Sequence, residues 1–162
     1  MPSVLFVCTA NQFRSPLAAA YLLKNIPHEA NAAKWTIESA GTWAKADLPV
    51  PKMTLQVAWQ LGLASLNSHR TRQIDQDLLN HFDLIIVMEA GQKEALTTEF
   101  PAVRNRLYLL SEIVDGAVYD ISDPARPGVN PEEVGRELCF LINKGKGKIL
   151  ELAESLSKLR SP

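Results

Sequence analysis

Residues 3–8, Ser-Val-Leu-Phe-Val-Cys, form an apolar run without polar alternation and rich in β-favouring Val and Phe. A strand of that kind is buried on both faces, and sheets covered on both faces are parallel ones. The polar stretch Thr9 to Phe13 follows, and then an Ala- and Leu-rich segment, Ser15 to Asn25, with Pro16 suited to a helix's first turn. A buried strand that hands over to a helix through a short polar loop points to an open α/β sheet. Such sheets bind ligands beyond the carboxyl ends of their strands, so the loop after residue 8 is the first place to look for a site.

The alternation continues. Lys34 to Ser39 reads as a strand closed by Gly41, and Met53 to Leu61 as a helix ended by Gly62. A short helical stretch, Asp75 to His81, precedes the clearest strand, Asp83 to Met88; a helix over Gln92 to Glu99 stops before Pro101. Arg106 to Leu110 is a fourth strand, Asp115 to Asn130 a long loop, and Pro131 to Leu159 one long amphipathic helix in which Gly145 and Gly147 are expected to bend or break the run. With 162 residues and no linker or repeat, these elements make a single domain over residues 1–162: an open four-stranded parallel sheet with helices on both faces, a three-layer α/β/α fold.

Seventeen Lys plus Arg against eighteen Asp plus Glu leave a net charge of −1, which removes the usual electrostatic motive for binding nucleic acid or a membrane surface. The N-terminal residues lack the basic and apolar regions of a secretory signal, so a cytoplasmic location is expected. In that reducing compartment the two cysteines, Cys8 and Cys139, are read as packing or reactive thiols rather than a disulfide.

In Cys8-Thr9-Ala10-Asn11-Gln12-Phe13-Arg14-Ser15 a thiol stands at a strand end, a guanidinium six positions later, and a helix starts at once. Backbone N–H groups of such a loop, with the helix dipole, make a socket for a phosphate-sized dianion. A cysteine in the same field reacts as thiolate. Arg14 can hold two oxygens of a transferring phosphoryl group, Ser15 can donate to the Cys8 thiolate as it leaves, and Asn11 can brace the loop in a left-handed turn. Taken singly, Cys8 as a buried strand residue, Arg14 as a solvated cation and Ser15 as an N-cap are ordinary. Cleavage of a phosphate ester also needs a proton for the leaving oxygen. Asp123, before Pro124 in the longest loop, is the candidate acid, while Asp120 is better read as a turn or capping residue.

The Cys-x5-Arg-Ser loop and the Asp123-Pro124 pair, together with Ser39-Ala40-Gly41-Thr42, His69-Arg70-Thr71-Arg72-Gln73 and the strand Asp83 to Met88, resemble the low-molecular-weight protein tyrosine phosphatase family over nearly the whole chain. The resemblance implies a phosphotyrosine phosphatase I-like fold and hydrolysis of phosphate monoesters, chiefly protein phosphotyrosine, through a phosphocysteine. By the same resemblance Cys8 is the nucleophile, Arg14 the clamp and Asp123 the general acid and base; Thr9, Ala10, Asn11, Gln12, Phe13 and Ser15 form and support the loop, and His69 braces Asn11. No metal or cofactor is implied, and the partner is a phosphorylated protein.

The chain also departs from the family. Phe13 stands where many relatives carry a second cysteine, Ala10 where glycine is common, and Ala125 where an aromatic residue usually follows the Asp-Pro pair. Gln12 favours no particular phosphorylated group. Trp43 is either a replacement pocket wall or a partly buried loop anchor. Two alternatives follow: a phosphate- or phosphoprotein-binding module with little turnover, and an arsenate reductase-like enzyme. The second needs a resolving thiol, and Cys139, between Leu138 and Phe140, reads as core packing.

Overall fold

The computed structural model describes residues 1–160. Four strands, β1 (Ser3–Cys8), β2 (Thr36–Gly41), β3 (Leu84–Val87) and β4 (Leu107–Leu109), form one parallel sheet in the order β2-β1-β3-β4. Every residue of β1 is buried, as its unbroken apolar run requires. Its residues alternate between two cores. Val4, Phe6 and Cys8 pack with residues of helices α1 (Arg14–Lys24), α2 (Lys52–Gln60), α5 (Leu110–Asp115) and α6 (Pro131–Arg160). Leu5 and Val7 pack with α3 (Gln76–Asn80), α4 (Ala90–Glu99) and Val103 of the turn that follows. At about 1.5–3 kcal/mol for each large apolar side chain taken from water, these two layers dominate the stability of the sheet.

The strand order reverses direction at β1. From β1 the chain crosses to β2 on one side, and β3 lies against β1 on the other. The carboxyl ends of β1 and β3 therefore flank a crevice, the place where an open α/β sheet receives a ligand. Cys8 ends β1, and Glu89 N-caps α4 just beyond β3.

Three expectations need correction. The second strand lies two residues later than Lys34 to Ser39, because Ala32–Lys34 closes a 3-10 turn capped by the Asn31 side chain and the ladder runs on to pair Gly41 with Cys8. The region before the long loop is not plain strand and loop: α5 begins at Leu110, directly after β4, and stops at Gly116 in a left-handed conformation. Finally, the last helix runs from Pro131 to Arg160 without a break. Gly145 has a packing function instead, since a Cβ there would lie 2.5 Å from Val114 Cγ2 on α5. Gly135 serves the same purpose against Val57 of α2, at 2.6 Å. Among the described residues no helix is long and apolar enough to cross a membrane.

Candidate active site

The loop Thr9–Phe13 curls from the end of β1 into the N-terminus of α1. Among the described residues no acceptor meets the backbone N–H groups of Ala10 through Ser15, which leaves consecutive donors free for an anion beside the positive end of the helix. Asn11 makes the curl possible. Its φ of 57° is left-handed, a conformation that asparagine tolerates, and its fully buried side chain is bonded on every side. Asn11 Nδ2 donates to Ser15 Oγ and to Ser39 Oγ, both at 2.9 Å, and Oδ1 accepts from the backbone N–H of Arg72 at 2.9 Å. His69 Nε2 lies 3.2 Å from the Asn11 carbonyl oxygen. A carbonyl only accepts, so this ring nitrogen carries the hydrogen. Burial holds the imidazole below its ordinary pKa, and the bond to Asn11 opposes that to a lesser degree.

Cys8 Sγ is buried 3.0 Å from Ser15 Oγ. The serine oxygen already accepts from Asn11, so its own proton goes either to the sulfur or to the Ala40 carbonyl at 3.2 Å. When the sulfur is a thiolate it is the stronger acceptor of the two.

Arg14 is only 2% exposed, and a guanidinium does not give up its charge, so burial demands partners. Nη1 donates to the Ile121 carbonyl at 2.8 Å and lies 3.0 Å from Glu89 Oε2, while Nη2 is 3.4 Å from Asp123 Oδ2. Asp123 is thereby brought to the loop Thr9–Phe13 although it is more than a hundred residues away from Arg14 in sequence. Its Oδ1 accepts from Ala125 N at 2.9 Å, which shapes the turn at Pro124. Asp120 caps instead: Oδ1 accepts from Ala90 N at 2.8 Å.

Cys8, Thr9, Ala10, Gln12, Phe13 and Arg14 line a cavity of about 100 Å³ whose far side is made by Asp123, Pro124 and Ala125, with Pro51, Met53 and Thr54 beside them. Thr54 Oγ1 fixes this wall by donating to the Gln12 carbonyl at 2.6 Å. Trp43 does not line the cavity and is not a buried anchor. Its backbone N–H donates to the Thr9 carbonyl at 2.9 Å, while its side chain is 85% exposed. Cys139 is buried on α6, carries no disulfide, and its neighbour Phe140 faces solvent rather than the core. Desolvation pushes the Cys139 thiol up to about 12.

Sequence reasoning missed Glu89, Gln92 and Arg126. Gln92 Oε1 accepts from the backbone N–H groups of Met88 and Glu89, and Nε2 donates to Thr9 Oγ1 at 3.1 Å, so the N3 residue of the capping box also ties α4 to the loop Thr9–Phe13. Arg126 Nη2 donates to Glu89 Oε1 at 2.9 Å. The signal available was position: Glu89 follows the strand that neighbours β1, with Gln92 at the spacing of a capping box.

The arrangement places a thiol, a guanidinium and a carboxyl group around one anion-sized socket. Comparison with known proteins agrees with that reading. The family model described as low molecular weight phosphotyrosine protein phosphatase matches residues 3–159. A low molecular weight protein-tyrosine-phosphatase of Bacillus subtilis, YfkJ, is 32% identical over 154 residues, 93% of this chain and 94% of its own. A protein-arginine-phosphatase of Geobacillus stearothermophilus is 30% identical over 143 residues, 87% of this chain and 91% of its own. The solved YwlE arginine phosphatase from Geobacillus stearothermophilus superposes with a TM-score of 0.78 at 27% identity, covering 99% of this chain and 96% of that one. A chain matched from its first strand almost to the end of its last helix belongs to the low molecular weight phosphotyrosine protein phosphatase family and is a phosphatase.

Proposed function

We propose that this phosphatase hydrolyses phosphotyrosine on proteins, with Cys8 as nucleophile, Arg14 as phosphate clamp and Asp123 as general acid and then base. The observation that carries the reading is the convergence of these three side chains on one cavity from two remote segments. The Cys8 thiolate attacks phosphorus, and the S–P bond forms as the bond from phosphorus to the tyrosyl oxygen breaks. The Asp123 carboxyl passes its proton to the departing oxygen. Arg14 and the free amides of the loop hold the equatorial oxygens, where negative charge spreads in the transition state. A water then attacks phosphorus and gives its proton to the Asp123 carboxylate, the S–P electron pair returns to Cys8, and Ser15 donates to the restored thiolate.

Relatives that act on phosphoarginine make that group the competing substrate. Phe13, Pro51, Met53 and Pro124 give the cavity an apolar wall, which suits an aromatic ring better than a second guanidinium. A nucleophilic thiol also works best where thiols stay reduced, which favours the cytoplasm. The test is hydrolysis of a generic aryl phosphate and of tyrosine- and arginine-phosphorylated peptides by wild type, Cys8→Ser and Asp123→Asn, with rapid quenching to trap phosphocysteine. Expected results are no turnover by Cys8→Ser with vanadate still bound, a larger loss for alkyl than for aryl phosphates in Asp123→Asn, and preference for the tyrosine peptide. Turnover by Cys8→Ser would overturn the mechanism. Vanadate binding without turnover in wild type would mean a binding module.

A further inference from the structure

The acid of the proposed reaction sits in a chain segment with no regular secondary structure, between α5 and α6. Upstream of Asp123 that segment is held by Ile121, whose N–H donates to the Met88 carbonyl at 2.9 Å and whose carbonyl accepts from Arg14. Downstream, the tie is Arg126. Its backbone N–H donates to the Asp123 carbonyl at 3.0 Å, closing a turn, and its guanidinium donates to Glu89 Oε1 at 2.9 Å. The other oxygen of Glu89 holds Arg14, and Arg14 reaches back to Asp123. Two acids and two guanidinium groups therefore close a ring through the turn.

In the proposed reaction one link of that ring is lost. A phosphate in the socket draws Arg14 to its own oxygens, and Asp123 must carry a proton to act as an acid, so the attraction between Arg14 and Asp123 is lost when the position of Asp123 matters most. The link between Glu89 and Arg126 involves neither reacting group and persists. Glu89 is largely buried, so this pair is screened far less than two surface charges, while Arg126 is mostly exposed and leaves no cavity when truncated.

We propose that Arg126, bound to Glu89, is the positioning residue that keeps Asp123 over the leaving oxygen once substrate has taken Arg14. The inference rests on the reading of Asp123 as general acid. A misplaced acid slows esters with poor leaving groups and spares those with good ones, because a stable leaving anion needs little protonation. A pair that served only to neutralise Glu89 or to orient Arg14 would act on all substrates alike, through phosphate binding.

The experiment measures kcat/KM for p-nitrophenyl phosphate and phenyl phosphate with wild type, Arg126→Ala, Arg126→Lys and Asp123→Asn. In Arg126→Ala the ratio of the p-nitrophenyl to the phenyl rate is expected to rise about tenfold over wild type, and Arg126→Lys, which keeps the positive charge, to recover most of it. An equal loss on both substrates, or none, overturns the role of Arg126. If Asp123→Asn itself leaves the ratio unchanged, the acid assignment fails and the proposal with it; if Asp123→Asn raises the ratio and Arg126→Ala does not, only the role of Arg126 fails.

Discussion

A Cβ on Gly41 would lie 2.4 Å from the carbonyl oxygen of Thr9. Backbone has to pass there because Gly41 pairs with Cys8 at the end of the ladder, and Thr42 and Trp43 then donate to the Cys8 and Thr9 carbonyls at 2.9 Å each. The hypothetical Cβ would also stand 3.0 Å from Asn11 N. No side-chain rotation relieves a clash with backbone, so the loop itself must move.

Gly41→Ala is therefore expected to cost about 1–3 kcal/mol of stability, as overpacking does, and to lower vanadate affinity because the amides of the loop shift with Thr9 and Asn11. Urea unfolding and vanadate titration of the variant check both. Stability loss with unchanged vanadate affinity would show that the second strand and the loop Thr9–Phe13 are mechanically independent.

The first strand, the loop and the role of Asn11 were legible because each is dictated locally: an apolar run, a polar interval, and a residue suited to a left-handed turn. The place of Asp123 beside Arg14 was legible only in part, from the proline and long loop that mark it and from the Asp-Pro pair of the family it resembles. Glu89 and Arg126 were not, since each takes its meaning from a partner 37 residues away that no local pattern announces. Gly145 misled for a related reason. In isolation a glycine weakens a helix, but here it admits Val114 of a neighbouring helix, and contact between helices overrides intrinsic propensity. The short helix α5 was hidden by its place directly after β4, where Leu110 continues the apolar run of the strand.

His69 gives the fold a dependence on pH. Burial lowers its folded-state pKa, so as acidity increases the unfolded chain takes up the proton first. Its contribution to stability is whole above the unfolded value of about 6.5 and declines as pH falls from there toward the lower folded value. Urea midpoints of wild type should drop over that interval, and His69→Gln, which can still donate to the Asn11 carbonyl, should drop less steeply. Parallel curves for the two proteins would remove His69 as the cause.

Cys139 tests whether any second thiol takes part in the chemistry. Burial on α6 pushes its thiol up to about 12, so at pH 8 almost none of it is thiolate. Only the thiolate attacks an alkylating reagent, a disulfide or an arsenic–sulfur bond. Iodoacetamide should accordingly leave Cys139 unmodified in the folded protein and label it once urea has unfolded the chain, and Cys139→Ala should keep its turnover of aryl phosphates. Mass spectrometry of the peptide from α6 reads the first outcome, and steady-state kinetics the second. Rapid native labelling of Cys139 would mean that the helix opens to expose it, and with that a route for the thiol to resolve an oxidised or arsenylated Cys8. Slow labelling, together with full turnover by Cys139→Ala, leaves Cys8 to act as the single reactive sulfur, which is what hydrolysis through a phosphocysteine requires.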